Sequence, residues 1–270
     1  MPARQVRVQE LRSLTAANGG TAVTALVTFG LLPGTQYVKI HSRAFTTAVG
    51  LQYALNPYLA VLKTTDAGAT WTDYSSAAQD EDAATHVDLS GLSTLANGDA
   101  VYIGAATAFR GLDVDVDGPN GNSSVLTASY WNGSAWVDTS DTDGTISSGK
   151  TMGQDGTIAW TVPSAWSAGS LNNILQNLDG GGSFQSTATA APQYGYQSLF
   201  WVRLEVGAAL DSAVTLDSIH ALAGSTAYAE LTAGDDVIEL AANHGEFGSV
   251  ELTVTTGTVN TVVTVGGKFV

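Results

Sequence analysis

Cysteine is absent from this 270-residue chain. Disulfides, thiolate metal sites and cysteine nucleophiles are therefore excluded. Charge is scarce: charged residues make up 13% of the sequence, about half the usual share, so the polar surface must come mainly from Thr, Ser, Asn, Gln and Gly. There are only four histidines, His41, His86, His220 and His244, and no two have metal-ligand spacing. The most apolar stretch, Ala22 to Leu32, is too short to span a bilayer, and the first residues lack the apolar run of a secretory signal, so no membrane partner and no general export are expected. No G-x-S-x-G elbow and no phosphate-cradling glycine loop occurs; Gly180-Gly181-Gly182 lacks the required Lys. No cofactor, catalytic residue or metal ligand is expected, and the chain is read as non-enzymatic.

The apolar fraction, 44%, belongs to a globular protein, and the length is enough for one large or two to three small domains. The charge is unevenly spread. Residues 1–65 carry Arg4, Arg7, Arg12, Lys39, Arg43 and Lys63 against Glu10 alone, a balance of +5, and the remainder carries −20. A basic leading segment on an acidic body suits an arm that docks on an acidic partner; the other reading is a chance cluster on a solvated face. Arg4, Arg7 and Arg12 are the candidate docking residues. Nucleic acid is not expected as a partner, because the body is acidic and no basic patch is interleaved with aromatics.

Strand patterns recur about every 8–12 residues, separated by Gly-rich turns, with almost no helix beyond one or two turns over 171–178. Leu112, Val114 and Val116 alternate with Asp113, Asp115 and Asp117, the period of a half-buried strand. Val125 to Trp131 and Ala135 to Asp138 read as a hairpin across Asn132-Gly133. Val202, Leu204 and Val206 alternate with Trp201, Arg203 and Glu205. The expected fold is all-β: an antiparallel, jelly-roll-like β-sandwich with an N-terminal arm (1–20), an N-terminal β region (21–99) that is either separate or part of the sandwich, a sandwich module (100–224) and a small C-terminal β domain (225–270).

Three groups of residues stand in order: Phe109-Arg110-Gly111-Leu112; Tyr130-Trp131-Asn132-Gly133-Ser134-Ala135-Trp136-Val137; and Asp143-Gly144-Thr145. Gly156-Thr157-Ile158-Ala159-Trp160, Pro163, Trp166 and Phe200-Trp201-Val202-Arg203-Leu204 follow. Over roughly residues 100–224 this order resembles a β-sandwich module of tailed-phage virion structural proteins. The resemblance implies a virion component assembled in the host cytoplasm, most simply a capsid-decorating or head-associated protein that binds other virion proteins (major capsid or connector) and copies of itself. A tail or head-tail connector component is its near neighbour. A secreted carbohydrate-binding or adhesin module is the alternative from another class, and a polysaccharide depolymerase a third.

Single motifs point to other chemistry. Asp113-Val114-Asp115-Val116-Asp117-Gly118 matches the first half of a calcium loop, but the twelfth position is Ser124 and the alternating valines favour a strand with its carboxylates on an outward face. Asp138, Asp141 and Asp143 form a second acidic loop. Trp71, Tyr74, Trp131 and Trp136 are the aromatics that could stack on a sugar, against the reading that they fill or cover a core. His244 reads as a polar loop residue.

Overall fold

The computed structural model describes residues 7–14, 26–31, 35–45, 49–80, 82, 84–175, 193–231, 234–242, 246–256 and 260–267. The chain is all-β and divides into two compact units, a central one of residues 59–224 and a terminal one made of 1–58 with 225–270.

The central unit contains β5 (Leu59–Thr65), β6 (Thr72–Asp73), β7 (Val87–Asp88), β8 (Asp99–Ala105), β9 (Phe109–Gly118), β10 (Leu126–Trp131), β11 (Trp136–Asp138), β12 (Thr142–Asp143), β13 (Gly156–Ala159), β14 (Ala168–Ser170), β15 (Ser198–Val206) and β16 (Thr215–Ala223), with four strands before it in the chain among the described residues. They form two antiparallel sheets. One runs β11-β10-β15-β8-β5-β6, with β14 also on β15; the other runs β12-β13-β9-β16-β7. Alternate residues of each sheet meet in a shared core: Val61, Val101, Ile103, Ala128, Val202 and Leu204 from the first, Leu112, Val114, Ile158, Leu216 and Ile219 from the second. This is a β-sandwich, and the period-two patterns in β9 and β15 are the reason these residues face inward.

The larger sheet is buried on its other face too. Leu62, Tyr102, Trp131 and Trp201 pack there beneath Leu171, Ile174 and Leu175, which come from a single turn of helix, α1 (Leu171–Asn173), and the residues after it. Every residue of β8 is consequently buried.

The terminal unit contains β1 (Arg7–Leu14), β2 (Leu26–Gly30), β3 (Thr35–Phe45) and β4 (Val49–Pro57), then β17 (Ala227–Leu231), β18 (Gly234–Ala241), β19 (Phe247–Thr256) and β20 (Asn260–Gly267). Its two antiparallel four-stranded sheets run β1-β20-β3-β18 and β17-β4-β19-β2. Val38, Ile40, Ile238 and Leu240 of the first pack against Leu51, Tyr53, Leu231, Val250 and Leu252 of the second. Each ladder in this unit joins a strand from before the central unit to one from after it.

This division differs from the expected one. The expected 21–99 region is split: residues 59–99 supply β5 to β8 of the central sandwich, the alternative in which they are part of it, and residues before 59 belong to the terminal unit. Residues 225–270 are half of the terminal sandwich, because β17 to β20 find their partners in β1 to β4. The expected arm is a strand over 7–14, hydrogen-bonded to β20; residues 1–6 and 15–20 lie outside the described residues.

Candidate functional site

The motif residues of the central unit hold its architecture. Trp160 Nε1 donates to the Phe109 carbonyl at 2.9 Å, Trp166 Nε1 to the Trp201 carbonyl at 3.1 Å, and Trp201 Nε1 to the Gly169 carbonyl at 2.8 Å. Each indole thus fills apolar space and ties two segments together. The Asn132 side chain accepts from Ser134 N, Ser134 Oγ and Ala135 N. The hairpin turn is therefore four residues long, with Trp131 opposite Trp136 as the last pair, one residue longer than the gap between the expected strands. Asp143 Oδ1 accepts from Thr145 N and Oγ1, and its Oδ2 accepts from Thr151 Oγ1 at 2.6 Å. Gly144 and Gly156 are required by close approach: a Cβ on Gly156 would lie 2.4 Å from the Gly144 carbonyl oxygen. The turn motif and the later glycine are one packing device.

The second acidic loop is likewise occupied by the chain itself. Asp138 accepts from Ser140 N at 2.7 Å and Asp141 from Ala128 N at 2.9 Å. Burial pushes the Asp141 carboxyl above the usual aspartate range, with Asp138 and Asp143 adding to it against the Ala128 N–H. A raised folded-state pKa means that the proton favours the fold, a contribution complete below the unfolded value and lost as pH rises through the folded one. Asp141→Asn, which keeps an acceptor without charge, is expected to melt higher than the parent at pH 7. The difference should vanish as acid protonates Asp141 in the parent. A pH series of melting curves checks this, and an advantage persisting in strong acid counts against it.

The sugar-binding candidates are largely engaged. Trp131 is buried, Trp136 carries the Arg203 guanidinium over its ring at 5.0 Å, and Trp71 leans on buried Tyr102 with centroids 5.7 Å apart. Tyr74 packs against the inter-sheet core. Arg203 is paired with Glu205 at 2.6 Å.

A polar cleft of about 380 Å³ lies at Lys63, Thr64, Thr70, Thr72, Tyr74 and Asp88. The Lys63 ammonium donates to the Asp88 carbonyl at 2.6 Å, and burial lowers its pKa against the pull of Asp88 and Asp99.

The docking candidates fall in different places. Arg7 and Arg12 lie in β1, opposite Gly267 and Val263 of β20; Arg4 lies outside the described residues, as does His244. His41 sits in β3, and His220 is buried in β16 opposite Asp113.

One cluster was not legible from spacing. His86 precedes β7, Asp117 lies in β9 and Asp217 in β16. His86 Nδ1 is 3.0 Å from Asp217 Oδ1 and 3.9 Å from Asp117 Oδ2. All three ligand atoms lie within 4.8 Å of one another. The register explains the convergence. Thr215 pairs with Gly118 and Leu216 with Val116, which skips Asp117; Ser218 then pairs with Asp115, which skips Asp217. Each aspartate is the extra residue of a β-bulge, and bulges re-aim side chains. Thr215 Oγ1 fixes Asp117 by donating to Oδ2 at 2.9 Å.

No protein family, no curated protein and no solved structure matches this chain. Among the described residues, no helix is long and apolar enough to cross a membrane.

Proposed function

We propose that this protein is a non-enzymatic structural component of a tailed-phage particle, a capsid-decorating or head-associated protein that binds virion proteins and copies of itself through its terminal unit. The observation that carries this reading is the use made of the motif residues: the tryptophans, Asp143, Asn132 and the paired glycines are spent on tryptophan-to-carbonyl ties, turn caps and close packing within one sandwich. A module whose recurring residues serve rigidity suits a part whose task is to add buried surface to an assembly.

Charge favours the terminal unit as the docking part. It holds six of the ten Lys and Arg residues against seven acidic ones, a net −1, whereas the central unit holds four against 18, a net −14. An acidic partner surface repels the central unit far more strongly. The expected docking arm and C-terminal sheet are in this way parts of one unit.

The test is immunogold labelling of purified source particles with an antibody against the full chain, read by electron microscopy. Label on heads supports the proposal, and label at the neck or tail moves the protein to a connector or tail role. Particles that carry no label and no peptide of the chain by mass spectrometry overturn the reading.

A further inference from the structure

We propose that His86, Asp117 and Asp217 form a binding site for a divalent transition cation of the zinc type. Three features of the cluster converge on this. The first is the donor set. One imidazole nitrogen comes from the residue before β7 and two carboxylate oxygens from β9 and β16, and this mixed set suits Zn²⁺ rather than Ca²⁺, which prefers six to eight oxygens.

The second is distance. A zinc ion about 2.0–2.2 Å from each ligand spans ligand pairs up to roughly 4.4 Å apart. The His86 pairs at 3.0 and 3.9 Å fall inside that span, and no pair in the cluster is more than 4.8 Å apart. Partial exposure, 32% for His86 and Asp217 and 49% for Asp117, leaves a path for entry and room for water to complete the shell.

The third is charge. Two carboxylates are brought together in a unit of net −14, and no lysine or arginine among the described residues lies within 4 Å of either. Among the described residues, His86 is their only partner of opposite sign, and only when protonated. A dication supplies the missing charge and would bind His86 Nδ1 and Asp217 Oδ1 in place of the contact they make with each other. The two bulges give the cluster a built character. They cost the β9–β16 ladder regular pairing at two places, and both extra residues are the carboxylates that meet at His86.

The experiment uses the full chain, stripped with chelator and titrated calorimetrically with Zn²⁺, with Ca²⁺ in parallel, alongside melting curves. The expected result is saturable binding of one Zn²⁺ per chain, with a rise in melting temperature of ~5–10 °C at a hundredfold excess over the dissociation constant. Ca²⁺ should leave the melting temperature unchanged. His86→Gln and Asp217→Asn should each abolish the saturable heat and the shift, while circular dichroism shows that both variants remain folded. Absence of saturable binding overturns the proposal. So does equal binding by both variants, or an equal response to Ca²⁺, which would mark a diffuse acidic surface; if one variant fails to fold, the other decides.

Discussion

Trp201→Ala is expected to lower the stability of the central unit by about 3–5 kcal/mol. For a unit of this size that is a drop of roughly 10–15 °C in its melting transition. The indole is fully buried on β15, directly opposite Gly104 of β8, and donates to the Gly169 carbonyl. Truncation therefore empties a large volume beneath α1 and leaves that carbonyl without its donor. Gly104 is part of the same device. A Cβ there would sit 2.7 Å from the Cε3 and Cζ3 atoms of the indole, so Gly104→Ala should cost about 1–3 kcal/mol by overpacking. In the double variant the added methyl occupies space the indole has vacated. Its loss should be clearly smaller than the sum of the single losses, a coupling of at least ~1 kcal/mol in a double-mutant cycle followed by chemical denaturation. Strict additivity would mean that the ring and the glycine do not determine one another.

The elements most legible in the sequence are those whose partners lie nearby. Alternation in Leu112 to Asp117 and in Trp201 to Val206 places β9 and β15 and gives the inward residues of both. The aromatic hairpin is local as well, although the three hydrogen bonds to the Asn132 side chain lengthen its turn. The terminal unit is not local. Arg7 pairs with Gly267 and Thr28 with Glu251, and no reading of short windows connects them. β4 is also hard to see, because Gly50, Gln52 and Ala54 between Leu51, Tyr53 and Leu55 blur the polar half of the alternation; Leu51, Tyr53 and Leu55 are the signal that could reveal it. The metal cluster is invisible for a different reason. Alternation puts Asp117 on one face of β9, but its meeting with Asp217 depends on two register shifts, and a register shift is a property of the pair of strands.

The interleaving of the terminal strands leads to the largest expected effect. Deleting residues 225–270 removes β17 to β20, and with them every ladder that β1 to β4 make among the described residues. Residues 7–57 should then lose amide protection entirely in hydrogen exchange, while residues 59–224, expressed alone, should fold and melt cooperatively. The central unit has both of its sheets and its own core. It also brings its own ends together: Leu59 pairs with Ala105 and Ala223 with Phe109, at the two sides of one short connection. Once it has folded, the loop that must close for Tyr53 to meet Ala227 shrinks from roughly 170 residues to an effective ten, which lowers the closure cost by about 2.5 kcal/mol. The order of assembly follows: central sandwich first, then the two flanks zipping strand by strand into the terminal one. Retained protection over 26–57 in the deletion variant would contradict the pairing, and a central fragment without a cooperative transition would contradict the order.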